Sequence, residues 1–158
     1  MSNERALLER FFEEEFQLFE TARHTPDSDA GLKSVCHAII WACCLDEFHV
    51  KQTPNYVTWV AQQTEAGALS GLRFARNRAI HQFTPLLEVT GGVSFPLTLP
   101  CAFFEINWLP RASLPPPDPK HAISKKFLAQ ATDYDTLLAN SPVRFTLDAV
   151  AELFQRVP

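Results

Sequence analysis

At 158 residues, with 46% hydrophobic and 11% aromatic content, the chain fits one folded domain with a sizeable core and excludes a disordered one. A net charge of −4 excludes a broad electrostatic grip on nucleic acid, so any such contact has to be local. No apolar run approaches the roughly 20 residues of a membrane span, and the polar start Met1-Ser2-Asn3-Glu4-Arg5 does not read as a secretory signal; the expectation is a cytoplasmic protein with no membrane partner.

Residues 3 to 24 read as a first helix, with Leu7, Leu8, Phe11, Phe12, Phe16, Leu18 and Phe19 on a broad apolar face and Glu9, Glu13 and Glu20 opposite. Glu15 falls inside the apolar arc. Thr25-Pro26-Asp27-Ser28-Asp29 reads as a turn that offers its serine or an aspartate as N-cap. A second helix runs to about Val50 and is apolar almost all round, through Leu32, Val35, Ile39, Ile40, Trp41, Leu45 and Phe48, as a central helix must be. Asp46 lies within its main apolar arc and Glu47 near the edge.

Thr53-Pro54-Asn55 breaks the pattern, and a third helical region covers roughly 55 to 83, with Gly67 and Gly71 expected to split or bend it before Pro85 ends it. Gly91-Gly92 then opens a stretch rich in β-branched, aromatic and proline residues, whose alternation through Phe104 to Trp108 predicts one short hairpin. Leu114-Pro115-Pro116-Pro117-Asp118-Pro119 reads as an extended segment that staples this insertion to the bundle. A short helix over Tyr134 to Ala139, capped by Asp133, and a terminal helix over Thr146 to Arg156, packing Leu147, Val150, Leu153 and Phe154, complete the chain. The expectation is a mainly α single domain over 1–158. It is a bundle of four to five helices with a small β-hairpin and proline-rich insertion, about 91–130, before the C-terminal helix.

Cys36, Cys43, Cys44 and Cys101 form no CxxC and no Cys/His pair of zinc-site spacing, so reduced thiols and no metal or other cofactor are expected. His24, His37, His49 and His121 show no ligand spacing either. No glycine-rich phosphate loop or nucleophile elbow is present.

The informative stretch is Arg73-Phe74-Ala75-Arg76-Asn77-Arg78-Ala79-Ile80-His81. It sets guanidinium, amide and imidazole groups within about two helical turns, the parts needed to hold a phosphate and move a proton beside it. On a wheel that starts at Leu69, the residues Leu72, Ala75, Ala79, Ile80 and Phe83 share an apolar arc with Arg76 in its middle. Arg73, Asn77 and His81, spaced by four, form a polar stripe along the edge. An arginine aimed into an apolar seam needs either a carboxylate, with Asp46, Glu47 and Glu15 as candidates, or another subunit across a cleft. The expected contact is from Arg76 to Asp46 or Glu47.

Arg76-Asn77-Arg78-Ala79-Ile80-His81 resembles the Arg-x4–6-His motif of the HEPN superfamily, in which a polar residue such as Asn follows the arginine; Asn77 fits. The resemblance covers roughly residues 3 to 84 plus the C-terminal helix, and has no counterpart for 91 to 130. Gly71 to Gln82, Phe103 to Pro117 and Tyr134 to Asp148 also look like stretches of small bacterial proteins without assigned activity. Membership implies a homodimer that cleaves RNA without a metal and leaves 2′,3′-cyclic phosphate ends, in bacterial defence, stress or toxin–antitoxin biology, with an antitoxin protein as a further partner. In that scheme His81 is general acid or base, Arg76 holds the scissile phosphate, and Asn77 orients the phosphate or the imidazole. Arg73 and Arg78 guide flanking phosphates of the RNA, and Asp46 and Glu47 position the arginines. One departure concerns Phe83, two residues beyond the histidine, where toxins with a nucleotidyltransferase antitoxin carry the tyrosine that is modified. The competing reading is a catalytically inactive HEPN-like module that binds a partner or a nucleotide, with Arg76 in a purely structural ion pair.

Overall fold

The computed structural model describes residues 3–82, 84–91, 102–122 and 124–158. The fold is mainly helical with a two-stranded antiparallel sheet. Helices α1 (Asn3–Ala22) and α2 (Ser28–Gln52) pack as a helical hairpin, burying Phe12, Phe16 and Phe19 against Val35, Ala38, Ala42 and Leu45. Of the candidate caps in the turn, Asp27 serves: its carboxylate accepts from the Ala30 backbone N–H at 3.0 Å. Glu15, inside the apolar arc of α1, lies 3.1 Å from His37 Nδ1 on α2, so the pair occupies the seam rather than exposing it.

The third helical region divides into α3 (Tyr56–Val60) and α4 (Ala66–Gln82). The break falls at 61–65, ahead of both glycines, and α4 runs unbroken through Gly67 and Gly71. The reason for Gly71 is packing, not bending. A Cβ there would sit 3.2 Å from the Tyr134 backbone N and Cα and 2.8 Å from a Leu138 methyl, so only a glycine lets that backbone come so close.

The sheet pairs β1 (Leu87–Gly91) with β2 (Phe104–Trp108), Val89 standing opposite Ile106. Pairing therefore begins ahead of Gly91-Gly92, and residues 92–101 lie outside the described ones, as do Phe83 and Cys101. Alternation along β2 sends Phe104, Ile106 and Trp108 inward, with the Trp108 indole donating to Thr146 Oγ1 at 3.0 Å. That bond ties the sheet to α7 (Val143–Gln155), whose Leu147, Val150, Leu153 and Phe154 are buried as the pattern requires.

Between sheet and α7 the chain is more helical than expected. A short α5 (Pro119–Ala122) precedes α6 (Lys125–Asp133), which runs into a single π-helical turn, Tyr134–Leu138. The start of this unit is capped by Ser124, which accepts from the Phe127 N–H at 3.0 Å; Asp133 lies inside it and caps nothing. The α6–π unit lies along α4, which is thereby held from two sides, by α2 and by residues 125–138. Replacement of Gly71 by alanine tests this packing. Overpacking costs about 1–3 kcal/mol and outweighs the roughly 1 kcal/mol that alanine adds to helix propensity. A lower midpoint in urea denaturation is expected, whereas a midpoint above wild type would mean that the α4–Tyr134 approach is looser than described.

Candidate active site between helices α2, α4 and α6

The second partner of α4 changes which of its side chains face inward. Leu69, Gly71, Leu72, Phe74, Ala75 and Arg78 are buried, while Ala79 is exposed and Ile80 is 43% exposed. The buried face is turned by about 100°, one residue's rotation, from the expected arc. Phe74 draws it round, with ring centroids 5.2 Å from Phe127 and 5.0 Å from Tyr134.

Among the three arginines of α4, Arg78 is accordingly the one inside the protein, at 2% exposure. Its guanidinium donates to Gln82 Oε1 at 2.8 Å and to the Pro115 carbonyl. Gln82 Oε1 also accepts from the Asp118 N–H at 3.2 Å, so the two side chains fasten the proline-rich segment to α4. Arg78, expected to guide a flanking RNA phosphate, is instead enclosed and bonded within the protein, which leaves its guanidinium little access to a strand outside. Burial, with no carboxylate beside it, also pulls the Arg78 pKa below the usual arginine range.

Asp46 is 3% exposed and joins three helices. Arg73 of α4 grips it bidentately, Nε to Oδ2 at 2.7 Å and Nη2 to Oδ1 at 2.6 Å, and the Tyr56 hydroxyl of α3 donates to Oδ1 at 3.0 Å. Burial opposes the charge on Arg73, but the Asp46 hydrogen bonds overcome it and hold its pKa above the ordinary value. Burial and the neighbouring carboxylate together raise the Tyr56 phenol. Burial also pushes the adjacent Cys43 thiol up to about 12, so it is neutral and unreactive.

Arg76 stands at the rim with its side chain 19% exposed, bonded to Glu47 and, at 3.3 Å, to the Asn77 side-chain oxygen. Of the two expected acids it takes Glu47, and Asp46 goes to Arg73. Glu47 is 53% exposed, so this pair is easily displaced, unlike the one at Asp46. On its other side Arg76 borders an apolar cleft of about 260 Å³, lined by Cys36, Ile39, Ile40, Ala79 and Ile80 among others.

The stripe Arg73, Asn77 and His81 borders α6 along two adjoining clefts. The first, about 440 Å³, is lined by Asp46, Glu47, Arg73, Arg76 and Asn77; the second, about 280 Å³, by Asn77, His81 and Gln82. Lys126 and Gln130 of α6 line both, and Phe127 lines the second. Arg76 and His81 thus occupy neighbouring clefts that meet at Asn77, not a single one, as their separation of five residues on a helix dictates. Lys126 and Gln130 are absent from the sequence-based site because α6 is. The available signal was Ser124 as cap, followed by Phe127, Ala131, Tyr134 and Leu138 at helical spacing.

His49 is fully buried, stacked on Tyr56 and Phe154, with Nδ1 2.9 Å from Thr53 Oγ1; burial lowers its pKa and it belongs to the core.

Replacement of Asp46 by alanine measures how firmly α2, α3 and α4 are joined. It strands Arg73 and Tyr56, and a loss of about 3 kcal/mol in urea denaturation is expected, the lower end for breaking a buried pair because Arg73 keeps some access to water. A loss under about 1 kcal/mol, typical of a surface pair, would contradict the junction.

Among the described residues no group of three or more His, Cys, Asp or Glu side chains is placed to hold a metal, Cys36, Cys43 and Cys44 are free, and no helix is long and apolar enough to cross a membrane. The chain matches no known family model, no curated protein and no solved structure.

Proposed function

We propose that the protein is a metal-independent endoribonuclease of the HEPN type, acting as a homodimer in bacterial defence, stress or toxin–antitoxin biology, with an antitoxin as a further partner. The observation that carries the reading is the line of Arg76, Asn77 and His81 along the walls of two joined, open clefts. An arginine, an amide and an exposed imidazole there suit an extended phosphodiester strand better than a compact small molecule. The bundle resemblance and the motif supply the rest of the argument.

In this mechanism His81 takes the proton from the ribose 2′-hydroxyl, and the 2′-oxygen attacks the adjacent phosphorus. The bond from phosphorus to the 5′-oxygen breaks, that oxygen takes a proton from water while His81 releases the one it accepted, and the products carry a 2′,3′-cyclic phosphate and a 5′-hydroxyl. Arg76 stabilises the charge that develops on the phosphoryl oxygens, and Asn77, already bonded to Arg76, fixes its orientation. To do so Arg76 exchanges Glu47 for the phosphate, a cheap exchange at a half-exposed pair. Arg73 retains one guanidinium nitrogen outside the Asp46 contact and adds positive potential to the same cleft. The apolar cleft beside Arg76, with Ile40 and Ile80 partly exposed, is the face on which a second copy would bring its own motif near.

The competing reading is a catalytically silent module, and one observation favours it: Arg76 is already occupied by Glu47 while His81 lies in the next cleft. An assay on single-stranded RNA in EDTA separates the two. Wild-type protein is expected to cleave and leave cyclic phosphate ends, and His81→Ala, at an exposed position, is expected to keep the wild-type melting temperature and to lose at least about 100-fold in rate, as for removal of a general acid–base group. Cleavage by His81→Ala at the wild-type rate, or intact RNA with wild type, assigns the protein to the silent class.

A further inference from the structure

Gln130 lies on the wall shared by the two clefts, only 6% exposed, and its side-chain amide makes no hydrogen bond to any described residue. Its amide nitrogen and oxygen are not among the wholly enclosed unpaired atoms of the described residues, so what little of the residue is exposed includes the amide, which meets solvent in the clefts. The other amides nearby are engaged: Asn77 accepts from Arg76, and Gln82 accepts from Arg78 and from the Asp118 backbone. Gln130 alone keeps both its donor and its acceptor for something that enters the cleft.

The surroundings indicate what that is. In the cleft of about 280 Å³, Phe127 presents part of an aromatic side chain beside Gln130, with His81 on the opposite wall. Lys126, exposed and one residue before Phe127, lines this cleft and also the one that contains Arg76. An aromatic surface, a donor–acceptor amide and a cation, all on one side of a cleft, match the three parts of a nucleotide: base plane, base edge and phosphate.

We propose that α6 is the base-reading wall of the site: a single unpaired base of an RNA strand enters the cleft beside His81, stacks on Phe127 and pairs its edge with the Gln130 amide, while Lys126 holds the adjoining phosphate next to Arg76. This rests on the RNA reading of the α4 stripe and adds to it a selectivity that the stripe does not supply there, since in that reading Arg76 meets the phosphate and His81 the ribose hydroxyl. Gln130 and Lys126 are positioning and specificity residues here, and the reacting groups remain those of α4.

The test uses the full-length protein and fluorescent single-stranded homopolymers of A, C, G and U with 2′-O-methyl sugars, which bind but cannot be cleaved. Anisotropy titrations over a range of salt give affinity and salt slope for wild type, Gln130→Met and Lys126→Gln. Wild type is expected to favour one base over the weakest by at least about five-fold, the smallest discrimination of one good amide–base pair. Gln130→Met keeps the side-chain shape and removes the amide; it is expected to level the four affinities without lowering the melting temperature, because no protein contact is lost. Lys126→Gln is expected to weaken all four alike and reduce the salt slope by about one. A base preference that survives in Gln130→Met, or a salt slope unchanged in Lys126→Gln, overturns the assignment of α6. A lower melting temperature for Gln130→Met also overturns it, by revealing a partner for the amide inside the protein. The same preparations cleave unmodified RNA in EDTA if the ribonuclease reading holds. Cleavage with no base preference therefore removes only the α6 assignment, and absence of both cleavage and binding removes the two together.

Discussion

The buried carboxylate of Asp46 is the constraint from which the site's geometry follows. It belongs to α2, takes both reaching nitrogens of Arg73 from α4 and the hydroxyl of Tyr56 from α3, and leaves almost nothing to solvent. A charge so enclosed is tolerable only with its donors in place, so the three helices have one acceptable arrangement. The rotation of α4 about its own axis is set by the same contact. With Arg73 turned toward α2, Asn77 and His81, four and eight residues on, must follow the same edge of the helix. Arg76 falls between that edge and the apolar cleft, where Glu47 is the acid it meets.

Helix α6 completes what Asp46 begins. Without it the stripe on α4 would be a line of polar side chains on an open surface. With it, the stripe becomes one wall of a pair of clefts whose other wall carries Lys126, Phe127 and Gln130. The close approach at Gly71 and the aromatic contacts of Phe74 hold this second wall in place. Arg78 and Gln82 do the same for the proline-rich segment that leads to it. Two arginines of one short run therefore serve internal structure, at Asp46 and at Pro115, and the third, Arg76, stands at the cleft rim against the half-exposed Glu47.

Much of this was legible from residue patterns, and the part that was not has a definite cause. Periodicity identifies the buried Phe12, Phe16 and Phe19 of α1, Val35, Ile39 and Leu45 of α2 and Leu147, Val150, Leu153 and Phe154 of α7, while Leu7, Leu18 and Ile40, expected on the same apolar faces, are exposed. Asp46 and Glu47 stand out as acids on or beside an apolar arc, which is a strong signal since such acids need partners. The orientation of α4 differs from its apolar arc because the helix has two packing partners, α2 and the segment 125–138, not one. Alanine and isoleucine at 79 and 80 widen the apparent arc on the exposed side, while Phe74 and Gly71, which decide the matter, answer to α6 and the π-helical turn after it. That helix in turn was hidden by its polar content, Lys125, Lys126 and Gln130, and by the prolines before it. The polar content is the point: a helix that forms the wall of a cleft shows a thin apolar seam.

The central claim is that RNA lies along the clefts between α4 and α6. Photo-cross-linking of single-stranded RNA containing 4-thiouridine to the intact protein, with adducts located by mass spectrometry, tests it most directly. The account predicts adducts within 73–82 and 124–130, concentrated at Phe127 and His81. Adducts confined to α1 and α7, or none at a protein concentration that saturates binding, would contradict it.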